Sequence, residues 1–336
     1  MKTLLDDAAD AAAWVDSAKD AYSGTGVFSK VSGSVIWTDE VGDDDEPLVA
    51  ADPVALTADI NINGHSLFLG HDPGCPVGRV VAARVFTSSS NTTFVAAVIG
   101  LYAPRNVRSF QQFGVDTAPT VSFPAFPKEL GKDCRIEVAT DPREVEEEWV
   151  QDLIQDAPLP VERIGLSHNA ADPLKELIRI GLDYTALVWK PVVTVIATEV
   201  AKHACAGIHD WLRRLWNKLA DRRNPIVVVE SHQDGCHVSF LFRGRDVTRH
   251  YAAHEALPVA AAQGVKLIAG LKSKGVVPVS VVYEFEPKIA KWFPSYAQLN
   301  DGRIVSDTNI LVAIEQLPQY LSIGIMQRNA KPKAPR

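Results

Sequence analysis

The sequence predicts an α+β protein with a β-rich N-terminal domain, a long linking helix and a C-terminal α+β domain of ββαβ type. Three observations carry this. Strand-like runs crowd residues 31 to 102, and one long amphipathic pattern occupies residues 192 to 221. Two further strand-like runs then meet at Asp234-Gly235, ahead of another helix and strand. At 336 residues, 46% of them hydrophobic and 22% charged, the chain has apolar material for more than one core.

In chain order, Leu4, Ala8, Ala11, Val15, Ala18 and Tyr22 recur at spacings of four and three, the stripe of an amphipathic helix within residues 1–26, which Gly24 and Gly26 close. The stripe is mostly alanine and covers few heptads, so it reads as a helix docking on the main body and not as a coiled coil. The β-rich domain then spans 27–171. Val31 to Thr38 alternates loosely, and Asp43-Asp44-Asp45-Glu46 is a solvated loop without the alternating ligands and positioned glycine of a calcium loop. Arg79 to Phe86 and Thr92 to Tyr102 form a hairpin across Ser88-Ser89-Ser90-Asn91.

Residues 106 to 113 predict a short helix closed by Gly114, followed by a stretch punctuated by Pro119, Pro124 and Pro127. A strand follows at Cys134 to Ala139. Asp141 as N-cap and Pro142 as first helical residue open an acidic helix from about 142 to 156, and Val161 to Ser167 reads as another strand.

A helical linker occupies 172–225. Val200, Ala204, Ile208, Trp211, Leu212, Leu215 and Leu219 make its apolar stripe, Arg213, Arg214, Lys218, Arg222 and Arg223 gather near its C-terminus, and Asn224-Pro225 stops it. The C-terminal domain, 226–328, has strands at Ile226 to Glu230 and Cys236 to Arg243, joined by the strong hairpin signal Asp234-Gly235. A helix over about 251 to 273, with Pro258 as a candidate break, precedes a strand at Val276 to Phe285. Asp301-Gly302 marks another hairpin turn, and Ile310 to Ile314 a strand or short helix. Residues 329–336 are basic, proline-containing and expected to be disordered.

Several function classes lose weight at this point. A formal charge of −7 argues against a general nucleic-acid binder. Lys190, Pro191, Glu199, Lys202 and His203 break the one segment, Tyr184 to Ile208, that approaches a membrane span. Cys75, Cys134, Cys205 and Cys236 form no CxxC pair, and Met1-Lys2-Thr3-Leu4-Leu5-Asp6-Asp7 turns acidic too early for a signal segment. Reduced thiols in the cytoplasm are the expectation.

No P-loop, GxGxxG or HExxH is present, so no cofactor is expected. His203 and Cys205 point to different faces of a helix. His250 and His254 share a face but lack a third ligand in the local sequence, and His232, Cys236 and His237 flank a turn without zinc-site spacing. No metal is expected either.

The segment best suited to chemistry is Gly70-His71-Asp72-Pro73. A histidine at a strand end before a rigid Pro-Gly turn suits a general base, and equally a histidine that bonds its own turn. Residues 31 to 102 resemble the front of the phage prohead (capsid maturation) protease family. Val31-Ser32-Gly33-Ser34-Val35-Ile36-Trp37-Thr38-Asp39-Glu40 is similar to that family's opening strand, and Leu69-Gly70-His71-Asp72-Pro73 with Pro76-Val77-Gly78-Arg79-Val80 to the segment holding its catalytic histidine.

The resemblance implies a herpesvirus-protease-like barrel and a serine endopeptidase in which His71 activates a serine on a later strand. Ser167, in Gly165-Leu166-Ser167, matches the family's triplet, although His168-Asn169-Ala170 replaces the small and aromatic residues usual after it. Ser122, in Thr120-Val121-Ser122-Phe123, lies at a more typical distance, with Pro124 removing a backbone N–H nearby. The third member is not assigned: His168, Glu137 and Asp116 are open to the role, and each is better explained as a surface polar residue. The resemblance also allows a degenerate barrel serving as a non-enzymatic scaffold in a phage-related or antiphage defence assembly. A protein substrate or protein partner is expected, and the C-terminal domain suits partner binding or homo-oligomerisation.

Overall fold

The computed structural model describes residues 3–41, 51–103, 106–117, 134–168, 175–187, 199–307, 321–322 and 324–328. The chain divides into two compact units. The first comprises Met1–Val107, Leu166–Asp172 and Asn309–Gln327; the second comprises Arg108–Gly165, Pro173–Thr308 and Arg328–Arg336.

The first unit starts with α1 (Leu4–Asp7), where Thr3 and Asp6 form a reciprocal capping box, and α2 (Ala9–Ser23). It continues with β1 (Phe28–Thr38), α3 (Pro53–Asn63), β2 (His65–Leu69), β3 (Pro76–Thr87) and β4 (Thr93–Tyr102). The strands lie in the order β1-β4-β3-β2, all antiparallel, with the short strand Leu321–Ser322 beside β2. Among the described residues the two ends of this sheet are not paired with each other, and no closed barrel is found there.

Both faces of this sheet are covered. Phe94 and Ala96 of β4 pack with Ala11 and Val15 of α2, whereas Val95, Ala97 and Ile99 pack with Leu56 and Ile60 of α3. That two-sided burial explains why β4 reads as a continuous apolar run and not as an alternation. Gly33 on β1 faces Val15, whose side chain would overlap a Cβ at that position. Helix α3 has no counterpart in the elements expected from sequence. Asp52 caps it by accepting from Ala55 N at 2.6 Å, and Pro53 is its first residue.

The second unit contains β5 (Ile136–Thr140), α4 (Glu147–Gln155), β6 (Val161–His168, its residues as far as Gly165), β7 (Glu176–Gly181), α5 (Tyr184–Leu187) and α6 (Glu199–Lys218). After these come β8 (Pro225–Gln233), β9 (Cys236–Arg243), α7 (Val247–Ser273), β10 (Pro278–Glu286), β11 (Lys291–Leu299) and β12 (Ile304–Val305). Its strands follow the order β12-β11-β10-β9-β8-β7-β5-β6. Each parallel neighbour pair is joined through a helix: β5 to β6 through α4, β7 to β8 through α6, and β9 to β10 through α7. The ββαβ order expected after residue 226 is present as β8-β9-α7-β10.

Three local expectations need correction. The helix expected from 142 begins at Glu147, because Asp141 instead accepts from Arg143 N at 3.0 Å and pairs with the Arg143 guanidinium at 2.7 Å, holding a turn. The helix in the linker is no connector, since Ile208, Trp211, Leu212, Leu215, Trp216 and Leu219 are all within the core of the second unit. Its Trp211 and Trp216 are 1% and 0% exposed while Arg213 and Arg214 are exposed, and Arg222 is buried and bonded to Glu146 and Glu176. Finally, α7 runs through Pro258 without interruption. Ile310 to Ile314 lies outside the described residues. Among the described residues no helix is long and apolar enough to cross a membrane.

The β8–β9 hairpin turns at Asp234 and Gly235, with φ of 49° and 72°. Two consecutive left-handed residues are the signature of a type I′ turn, whose twist matches antiparallel strands. Replacing Gly235 with valine forces a branched side chain into that region, at a cost of about 1–2 kcal/mol. Urea titration of Gly235→Val should therefore show a lower unfolding midpoint; an unchanged midpoint would mean that the hairpin does not need this turn.

Candidate functional site

The connection from β2 to β3 holds His71. Gly70 and His71 have φ of 54° and 57°, and Asp72 N donates to Leu69 O at 3.3 Å, so these four residues form a turn of the type I′ kind. Further bonds tighten it: Leu69 N donates to Cys75 O at 3.0 Å, Cys75 N to Asp72 O at 2.9 Å, and Gly74 N to the Asp72 carboxylate at 2.9 Å. His71 is 2% exposed and Asp72 7%. A left-handed conformation is natural for Gly70 and strained for His71, by about 1–2 kcal/mol.

The glycine further along the same motif has a packing reason. A Cβ at Gly78 would collide with the carbonyl oxygen of Gly100 on β4, a backbone atom with no freedom to yield.

Ser167 lies on β6 beyond Gly165, the last residue of that strand paired with β5. Its segment, Leu166–Asp172, groups with the first unit, the unit that holds His71. The side chains of Ser167 and His168 lie outside those described, and Ser122 lies outside the described residues altogether. Glu137 and Asp116 belong to the second unit; Glu137 faces Arg135, which pairs with Glu162 at 2.7 Å, and Asp116 is exposed.

A buried polar cluster of the second unit has no signature in the sequence. Trp216 Nε1 donates to His254 Nδ1 at 3.2 Å, His254 Nε2 lies 2.5 Å from His209 Nδ1, and His209 Nε2 lies 2.9 Å from Ala186 O. All three ring side chains are at most 3% exposed. The end groups fix the protons, because an indole N–H only donates and a carbonyl only accepts. His254 therefore carries its proton on Nε2 and gives it to His209 Nδ1, and His209 carries its own on Nε2. Both imidazoles are neutral in this arrangement. His209 and His254 are 45 residues apart on different helices, so no local spacing announces the pair.

His250, one helical turn before His254, donates to Gly244 O at 2.7 Å and is 1% exposed. Burial holds its pKa below the ordinary imidazole value, against the opposing pull of the Gly244 carbonyl. His203 is exposed and Cys205 buried, on different sides of α6, as their spacing requires.

On the strand face turned away from that cluster, Glu230 of β8 bonds the Arg179 guanidinium at 2.7 Å and His237 Nε2 at 3.2 Å. Burial alone would raise the Glu230 carboxyl, but Arg179 and then His237 outweigh it and hold the pKa at about 2. It is a permanently ionised, fully paired carboxylate, which is the chemistry of a structural ion pair and not of a general acid. Among the described residues no group of three histidine, cysteine or carboxylate side chains is placed to hold a metal ion.

Comparison with protein-family models, with curated proteins and with solved structures finds no match.

The buried His250 generates a pH prediction. Its folded pKa is depressed, so below about 6.5 the unfolded chain binds a proton that the folded one refuses. Stability contributed by the neutral ring is thus present above pH 6.5 and lost as the pH falls from there toward the folded value. Thermal unfolding should show a midpoint that drops over this window, and the drop should shrink in His250→Gln; an equal drop in the variant would remove His250 as its cause.

Proposed function

We propose that the first unit is a serine endopeptidase domain of the prohead-protease type, with His71 as general base and Ser167 as nucleophile. In that reaction the imidazole takes the serine proton as Oγ attacks the scissile carbonyl. It returns the proton to the leaving amine, and water later releases the acyl group by the same exchange. The observation that carries this reading is that the segment of Ser167 joins the unit of His71 although the two are far apart in sequence. The strained backbone of His71 adds support, since such conformations concentrate at functional sites. Ser122 is the second candidate nucleophile, and a barrel completed by further strands belongs to the same proposal.

The burial of His71 favours a second reading. A ring 2% exposed is well suited to holding a turn and poorly suited to meeting a peptide, as in a degenerate, non-enzymatic subunit of a phage-related or defence assembly.

Intact-mass measurement of the purified chain, alone and with a fluorophosphonate probe, separates the two. The peptidase reading expects self-cleavage or a probe adduct on Ser167, absent in Ser167→Ala and slowed at least about a thousandfold in His71→Ala. An adduct on Ser122 would transfer the nucleophile's role to that residue. Constant mass with no adduct would reject the peptidase. The second reading then expects a stoichiometric complex with a partner that survives His71→Ala.

A further inference from the structure

Helix α7 carries a glycine well inside its span, at Gly264, directly after Ala260, Ala261, Ala262 and the buried Gln263. A glycine there weakens the helix relative to alanine, so its retention calls for a reason in what it faces. A Cβ at Gly264 would lie 3.1 Å from Gln233 Oε1 on β8, 3.7 Å from Val238 Cγ1 on β9 and 3.8 Å from the Tyr283 hydroxyl on β10.

Gln233 is 4% exposed and Tyr283 0%, and neither Gln233 Oε1 nor the Tyr283 hydroxyl has a hydrogen-bond partner among the described residues. Both groups are held in place. Gln233 Nε2 donates to Ser231 Oγ at 3.1 Å, and the Tyr283 ring stacks on Phe240 with centroids 5.1 Å apart. Two buried polar groups therefore converge on a point of α7 that lacks a side chain.

We propose that Gln233, Tyr283 and Gly264 form a buried binding site for a single water molecule, which accepts the Tyr283 O–H and donates to Gln233 Oε1. Buried polar atoms left unpaired cost more than the hydrogen bonds they replace, and internal waters settle where two to four polar partners converge. Water also suits either orientation of the Gln233 amide. With the amide reversed, Oε1 accepts from the Ser231 hydroxyl, Nε2 points to Gly264, and the same water accepts from it. Gly264 leaves room for the molecule, because a methyl group there would lie 3.1 Å from Gln233 Oε1 and crowd its approach. The water links β8 to β10 across β9 and fixes the level at which α7 rests on the sheet.

The test is direct detection in the full-length protein. A high-resolution crystal structure should show a solvent peak within hydrogen-bonding distance of both Gln233 Oε1 and the Tyr283 hydroxyl. Nuclear Overhauser spectra should show a long-lived water at the Tyr283 hydroxyl and Gln233 amide protons. Absence of both signals in the unsubstituted protein overturns the proposal, whatever the variants do. Gly264→Ala should abolish the water signals and lower the thermal midpoint despite the better helix propensity of alanine. A higher midpoint with the water signals intact would also overturn it. Should Gly264→Ala fail to fold, Tyr283→Phe, which adds no volume, should weaken the water signal at Gln233, and an undiminished signal there would exclude Tyr283 from the site.

Discussion

An indole N–H can only donate, and once buried it must find an acceptor or cost the fold a full desolvation penalty. The second unit meets that constraint three times, each time across a different pair of elements. Trp211 of α6 donates to Leu153 O of α4 at 2.9 Å, Trp216 of α6 to His254 of α7 at 3.2 Å, and Trp292 of β11 to Ala253 O of α7 at 2.8 Å. Apolar packing alone tolerates small slides of a helix over a sheet. These bonds do not, because a one-residue shift of α7 would strand two indole donors and break the neutral Trp216–His254–His209–Ala186 chain at once. The register of both long helices is set by polar atoms inside an otherwise apolar core.

The other side of the same strands has a different logic. Strand residues that alternate with the core carry Arg179 paired with Glu230, which also bonds His237, and Arg243 paired with Glu284, each pair formed across strands. Parallel strands are normally buried on both faces by apolar residues. Here the ionisable residues are admitted in pairs, and the low pKa of Glu230 shows how completely its partners offset burial.

What was legible in the sequence was chiefly what short range decides. Asp234-Gly235 gave its hairpin because the turn type is chosen by the two residues in it. The dipeptide Asp-Pro shows the limit. At Asp52-Pro53 it starts a helix, since Leu56 and Ile60 beyond it are buried against β3 and β4. At Asp141-Pro142 it does not, because Arg143 occupies the carboxylate that would have capped the helix. Pro258 removes one backbone donor, yet the surrounding residues of α7 bury enough surface to carry the helix through. The partners of His254 and of Gly264 lie on other elements, and no periodicity in one segment can reveal them.

The His71 segment separates two kinds of motif residue. Gly70 sits at positive φ, and Gly78 lies where a side chain would strike the Gly100 carbonyl, so the turn backbone calls for the first and packing for the second. His71 is the opposite case: its position in the turn favours glycine, and a histidine there carries conformational strain. A resemblance resting on the glycines would arise from any tight hairpin of this shape. The glycines are explained by the hairpin itself, and for that reason the functional proposal stands or falls with the imidazole and not with the sheet that presents it.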